Sequence, residues 1–132
     1  MVLDTSAVLA ILQGEPQRRA FSDALESAGS RSMSVASFVE CSIVLAVQRG
    51  PEAVRDLELL IAKADIALVP VDADQAYLAR KAHRLFGKGM HPAGLNFGDC
   101  FAYALSQTCG EPLLYKGAEF SLTDVARHPA SG

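Results

Sequence analysis

The sequence of 132 residues is poor in the features that mark disulfide-linked, zinc-binding or membrane proteins. Its three cysteines, Cys41, Cys100 and Cys109, are odd in number and lack the short Cys-x-x-Cys spacing of zinc and redox sites, so we expect buried, reduced thiols. No apolar run approaches the ~18 residues of a membrane span, and no basic stretch followed by an apolar segment opens the chain. These absences predict a cytoplasmic protein without a membrane anchor.

Strong charge is missing as well. The formal net charge is -3 and the pI is near 5.5, which argues against binding nucleic acid by bulk electrostatics. Any such contact must therefore be local. Half of the residues are hydrophobic, and a chain of this length suits a single domain spanning residues 1–132.

Short apolar runs alternate with stretches of helical periodicity. This order predicts a parallel sheet with helices on both faces, whose ligand site lies beyond the carboxyl ends of the strands. The third helix is apolar on almost every side and is predicted to lie inside, as is the strand at 66–71. A partner groove or a homodimer face is the other explanation of the apolar third and fourth helices. In the tail from Lys116 only 122–126 looks ordered, and residues from about 127 are predicted to be disordered. The predicted strands are 1–3, 31–34, 66–71 and 112–115, and the predicted helices are 7–12, 16–28, 37–48, 51–64, 73–86 and 99–108.

Three acidic residues stand at the starts of predicted helices. Asp4 and Asp99 are able to cap or favour helix starts, and Ser37 to Glu40 fits a capping box, so each has an ordinary explanation. Glu40, however, opens a helix with almost no polar face, and burying an unpaired charge costs several kcal/mol. A shared cation offsets that cost, and oxygen ligands from separate elements suit a hard ion such as Mg2+.

Four sequence words resemble those of the PIN-domain ribonucleases and, within them, the VapC-like toxins. The words are Val2–Ala7, Ser37–Glu40, Leu95–Ala104 and Leu113–Phe120, and the resemblance spans nearly the whole chain. It implies a PIN-like three-layer α/β/α sandwich around a central, mainly parallel sheet of four to five strands.

The same resemblance implies a set of site residues. The metal-binding acids of the family fall on Asp4, Glu40 and Asp99, with Thr5 or Ser6 as a supporting hydroxyl. The fourth acid falls on Glu119, where the chain departs from the family's Lys-Gly-Asn-Asp-Phe pattern by having Ala118 and Glu119. Asp124 also matches an acidic position and is the alternative fourth acid.

The implied activity is hydrolysis of RNA phosphodiester bonds by a metal-activated water, with Mg2+, or Mn2+ as a substitute. The implied partners are the RNA, a small VapB-like antitoxin whose tail blocks the acidic pocket and, by analogy, a second copy of the chain. RNA also needs positive charge, and the segment 80–91 carries basic residues and no acid. An ordinary exposed basic helix face is the other explanation of that segment. The predicted RNA contacts are Arg80, Lys81, Arg84, Lys88 and Lys116.

Two other functions compete with the nuclease. A phospho-receiver signalling domain shares the alternating fold, and Asp4, Asp72 or Asp74, and Lys116 imitate its acidic pocket and lysine. That hypothesis leaves Glu40 and Asp99 without a role. The altered fourth acid also permits a PIN module that binds a partner without catalysing any reaction.

Overall fold

The computed structural model describes residues 1–132 and contains four short strands and six α-helices. The strands are β1 (Val2–Leu3), β2 (Ser32–Ser34), β3 (Ala67–Val69) and β4 (Leu113–Leu114). The helices are α1 (Thr5–Leu12), α2 (Arg18–Ser27), α3 (Val35–Arg49), α4 (Pro51–Lys63), α5 (Ala73–Phe86) and α6 (Phe97–Cys109). A 3-10 turn, Phe120–Leu122, follows the last strand. No helix is both long and apolar enough to cross a bilayer.

The four strands form one parallel sheet in the order β3-β2-β1-β4. β1 lies inside this sheet, because Val2 pairs with Ser32 of β2 and with Leu113 of β4. The predicted α/β fold with a parallel sheet is therefore confirmed, with four strands. All carboxyl ends lie at one edge of the sheet, where a site is expected.

Alternation along the central strands divides the interior into two cores. Val2 and Leu113 belong to a core built with α5 and α6, whereas Leu3 and Leu114 belong to a core built with α1, α2, α3 and α4. Successive strand residues face opposite sides of a sheet, so two adjacent apolar residues supply both cores. The predicted three-layer arrangement is confirmed.

The prediction that the third helix is buried on all sides is wrong. Val39, Ile43 and Val47 of α3 are 52%, 58% and 81% exposed. The helix also begins earlier than predicted: Ser34 caps it by accepting a hydrogen bond from the Ala36 amide. Glu40 therefore lies in the second turn, and the predicted capping box at Ser37 and Glu40 does not form.

Two further predictions about burial are wrong. The strand around residues 66–71 is an edge strand, with Leu68 37% exposed and only the preceding Ile66 buried. Among the cysteines, Cys41 and Cys100 are buried as expected, but Cys109 is exposed at the end of α6.

The tail is ordered along β4, contrary to prediction. Arg127 forms a parallel bridge with Leu113, and the buried Ser131 hydroxyl donates to the Leu113 carbonyl and accepts from the Tyr115 amide. These bonds satisfy backbone groups on the open side of β4, which otherwise has no neighbouring strand.

Candidate functional site

Asp4 stands where β1 ends and α1 begins. Its Oδ2 accepts hydrogen bonds from the Ser6 amide at 3.0 Å and from the Ser6 hydroxyl at 2.6 Å, so the carboxylate caps α1. Asp4 is only 3% exposed, and its Oδ1 is buried without any hydrogen-bond partner. A buried carboxylate oxygen without a partner is costly, which indicates that capping alone does not explain this residue.

The two hydroxyls beside Asp4 connect it to other elements. Ser6 donates to Asp4 and accepts from the Lys116 amide at 3.0 Å, which links the ends of β1 and β4. Thr5 donates through Oγ1 to the Ser37 carbonyl on α3 at 3.2 Å. Both predicted supporting hydroxyls thus hold neighbouring elements together, and Ser6 alone contacts the carboxylate.

Glu40 reaches the site from α3 and depends on a glycine. Its carboxylate lies directly against Gly98 in the first turn of α6, so that a methyl group on Gly98 would overlap with both carboxylate oxygens. Gly98 is buried and helical. The absence of a side chain at Gly98 therefore admits Glu40 to the start of α6.

Asp99 lies in that first turn and belongs to a capping box. Asn96 caps α6 by accepting from the Asp99 amide at 2.9 Å, and Asp99 Oδ2 accepts from the Asn96 amide at 2.9 Å. The sequence does carry this signal, an Asn followed three residues later by an acidic residue. The start of this helix was predicted, but its capping box was not.

The carboxylates influence one another through space. Burial raises the pKa of Asp4 to about 6, with a smaller increase from Glu40, although the Ser6 hydrogen bonds oppose both. Burial also raises the pKa of Asp99 to about 7, and the negative charges of Asp4, Glu40 and Glu119 add to this. Asp4 at the end of β1, Glu40 on α3 and Glu119 after β4 are therefore all near enough for their charges to act on Asp99 on α6.

As the side chains stand, no three acidic, histidine or cysteine side chains are arranged to ligate one metal ion. Asp4 and Asp99 instead direct one oxygen each to local amide donors. The residues nevertheless fit a hard cation chemically, because the donors are carboxylate oxygens and Asp4 Oδ1 lacks a partner. A divalent cation would also offset the burial and the charge repulsion that together raise the pKa of Asp4 and of Asp99.

Comparison with known proteins identifies the family. The PIN domain family model matches residues 1–126. The chain belongs to the PIN domain family. The ribonuclease VapC of Mycolicibacterium smegmatis is 52% identical over 126 residues, covering 96% of this chain and 98% of that protein. Ribonuclease VapC28 of Mycobacterium tuberculosis is 51% identical over 128 residues, covering 96% of each chain.

A solved PIN structure shows the same fold at low identity. VapC20 of Mycobacterium tuberculosis, described as a toxin that cleaves the sarcin-ricin loop, superposes with a TM-score of 0.78 at 16% identity, covering 96% of this chain and 97% of that one. Together with the relatives, this places the chain in the VapC branch of the family. The phospho-receiver hypothesis is wrong: β3 is an edge strand, Asp72 after it caps α5, and Lys116 pairs with Glu15.

Of the two candidates for the fourth acid of this PIN domain, Glu119 is the one whose charge acts on Asp99. Its carboxylate folds back over Gly117, which has a φ of +105°. Asp124 is instead held by the Tyr103 hydroxyl, which donates to it at 2.6 Å. The structure thus brings Glu119 to the acidic group and gives Asp124 a bond that fastens the tail to α6.

The structure places the predicted RNA-contacting residues in different surroundings. Lys116 pairs with Glu15 at 2.9 Å, so its charge is partly used within the chain. Lys88 lines a hollow of about 450 Å³ together with Asn96 and Glu119, whereas Arg80 lines a separate cleft between α5 and α6. Lys81 and Arg84 are exposed on α5.

Proposed function

We propose that this chain is a Mg2+-dependent endoribonuclease toxin that cleaves RNA in the cytoplasm and is neutralised by a small VapB-like antitoxin. One observation carries the proposal: Asp4 Oδ1 is buried without a partner, and burial together with neighbouring acids raises the pKa of Asp4 and of Asp99. Such a group favours binding of a cation over remaining charged and unpaired. Membership of the VapC branch supports RNA as the substrate.

Asp4, Glu40 and Asp99 would hold the ion, with Glu119 at the rim. When bound there, Mg2+ or Mn2+ would supply a water molecule of lowered pKa and positive charge beside the scissile phosphate. The proposed products are a 5'-phosphate and a 3'-hydroxyl. Ser6 orients Asp4 by donating to Oδ2, which leaves Oδ1 for the ion.

The remaining contacts serve substrate binding. An acidic site repels a phosphate backbone, so positive charge beside it is needed. Lys88 is the basic side chain that shares a hollow with Glu119, and we assign it to the RNA backbone near the rim. Lys116 has two roles in this proposal. Its amide donates to the Ser6 hydroxyl, and its ammonium group, which pairs with Glu15, adds positive charge.

The protein partners follow from fold and surface. A toxin-antitoxin complex from Klebsiella pneumoniae contains a chain of this fold, with a TM-score of 0.70 at 14% identity and with 99% of this chain covered and 94% of that one. An antitoxin that covers the acidic edge would block both the ion and the RNA. The exposed apolar residues of α3 support a second interface, with another copy of the chain.

The test is cleavage of total RNA by the purified chain with Mg2+, with Mn2+, or with EDTA. Asp99→Asn keeps the oxygen that accepts from Asn96 but loses the charge, and we expect cleavage to fall by about 10³-fold, since metal catalysis contributes several kcal/mol. Asp74→Asn, an exposed acid in the first turn of α5, is the matched control and should cleave normally.

Calorimetric titration with Mg2+ separates metal binding from catalysis. Mg2+ binding that Asp99→Asn weakens and Asp74→Asn does not would support the proposed ligands. Normal Mg2+ binding without RNA cleavage would identify a PIN module that only binds partners. Cleavage that persists in EDTA would refute the metal dependence.

A further inference from the structure

A cleft of about 410 Å³ separates α5 from α6 on the side of the molecule away from α1 and α2. Its volume lies within the roughly 300–1,000 Å³ typical of small-ligand pockets. The walls are mainly apolar and aromatic, with two polar side chains among them. The lining residues are Ala76, Ala79, Arg80 and His83 from α5, and Phe97, Cys100 and Phe101 from α6.

Phe97 is unusual for a phenylalanine because it is 79% exposed. Its ring meets Phe101 edge-to-face, with the ring centroids 4.9 Å apart and the planes at 75°. This geometry covers at most one face of the Phe97 ring. An aromatic face open to solvent is what nucleobases of single-stranded RNA stack on.

The polar side chains of the cleft are basic and free of acidic partners. Neither Arg80 nor His83 forms an ion pair, and the Arg80 guanidinium lies 5.0 Å from the centre of the Tyr77 ring. That stacking orients Arg80 at the rim while leaving its N–H groups available.

The Phe97 ring also borders the acidic group. It lines a second hollow of about 280 Å³, between α3 and α6, together with Glu40 and Gly98. Gly98 follows Phe97 in the first turn of α6, and the Glu40 carboxylate lies against Gly98. A nucleotide bound beside Glu40 would therefore lie near the Phe97 ring.

We propose that the cleft between α5 and α6 is a nucleobase site, in which a base next to the scissile phosphate stacks on Phe97 and receives hydrogen bonds from Arg80 or His83. The inference rests on the proposed function for the acidic group. An RNA ligand is favoured over a protein here, because its phosphates supply the negative charge that Arg80 and His83 do not find within the chain. The site would select among RNA sequences by the shape and hydrogen-bonding edge of one base.

The test measures affinity for short labelled single-stranded RNA in EDTA, where no Mg2+-dependent cleavage occurs. Phe97→Ala should bind about five- to one-hundred-fold more weakly, the usual value of one stacked base. Phe97→Tyr keeps a stacking ring and should retain wild-type affinity. Leu59→Ala, which removes an exposed apolar side chain on α4, is the control and should leave the RNA affinity unchanged.

A strand lacking one base at each position in turn identifies the stacked nucleotide. On the strand without that base, Phe97→Ala and the wild type should bind equally well. The nucleobase site would be overturned if Phe97→Ala bound the RNA with wild-type affinity. It would also be overturned if Phe97→Ala bound every abasic strand more weakly than the wild type by the same factor. A lower oligomeric mass of Phe97→Ala with unchanged RNA affinity would overturn it too and would indicate a protein interface instead.

The two proposals fail separately in this design. If the wild type does not cleave RNA in Mg2+ but binding depends on Phe97, the proposed function fails and the nucleobase site stands. If the wild type cleaves RNA and Phe97→Ala binds equally well, only the nucleobase site fails.

Discussion

Helix α3 carries two regions that depart from ordinary burial in opposite directions. Glu40 is half-buried with its carboxylate against Gly98, near the buried Asp4 and the half-buried Asp99. Next to it, Val39, Ile43 and Val47 form an apolar face that is more than half exposed. A charged side chain of α3 is thus half-buried and apolar side chains are exposed, which reverses the usual distribution between interior and surface.

Each region is unfavourable for the isolated chain and is relieved by a different kind of ligand. A cation neutralises the acids, and a protein surface covers the apolar face. The two cores on either side of the sheet supply the stability that tolerates both. The comparison therefore predicts that changes in the acidic group alter stability and chemistry strongly, while changes on the apolar face alter association only.

The largest effect concerns pH. Because folding raises the pKa of Asp4 from 3.8 to about 6, the folded chain binds more protons than the unfolded chain between these values. Its stability in EDTA should therefore fall as pH rises through this window, by about 3 kcal/mol for Asp4 alone. This loss of stability is complete above about pH 6 and absent below pH 3.8.

Urea unfolding of wild type and Asp4→Asn in EDTA measures this difference. The amide keeps an oxygen for Ser6 but has no charge, so Asp4→Asn should be the more stable protein at pH 8, and the gap should close towards pH 4. Asp74→Asn should show no such gap. If Asp4→Asn were less stable than the wild type at pH 8, Asp4 would be an ordinary helix cap.

The next effect concerns the glycine that admits Glu40. Gly98→Ala should push the Glu40 carboxylate away from α6 and reduce RNA cleavage by about 10²-fold, or about 2.7 kcal/mol, as expected for a displacement near 1 Å. Stability should not fall, because alanine is favoured over glycine in a helix by roughly 1 kcal/mol. Cleavage rates and thermal melting of the same sample separate the two effects.

A double variant tests whether displacement of Glu40 causes the loss of cleavage in Gly98→Ala. Glu40→Asp shortens the side chain, so adding Gly98→Ala to it should cost much less than Gly98→Ala costs in the wild type. The expected interaction is about 0.5–3 kcal/mol. Independent, additive losses would mean that Gly98 matters for a reason other than the position of Glu40.

The acidic group also shows which features of a site the sequence predicts and which it does not. Asp4 and Asp99 are visible because each stands at a helix start, one of them directly after a strand. The link between Ser6 and Lys116 spans 110 residues and exists only because β1 and β4 are neighbours. The approach of Glu40 to Gly98 likewise depends on how α3 packs on α6.

The errors have a common physical origin. Apolar periodicity in α3 and in the edge strand β3 indicates which side chains avoid water, but not whether this chain or another molecule covers them. Order in the tail was missed because Ser131 makes its bonds to Leu113 and Tyr115, far back in the sequence. Burial and order both depend on neighbours that local sequence does not specify.

The smallest effect on stability should come from the apolar face itself. Val47 is 81% exposed, so Val47→Ser should change the free energy of unfolding by no more than about 0.5 kcal/mol. If a second copy of the chain covers α3, the same change should lower the oligomeric mass measured by light scattering. Leu59→Ser, on α4 at 54% exposure, is the matched control and should leave the mass unchanged. A Val47→Ser protein that keeps the wild-type mass would assign this face to another partner, whereas a large loss of stability would show that the exposed valine supports the fold and would remove the contrast between the two regions of α3.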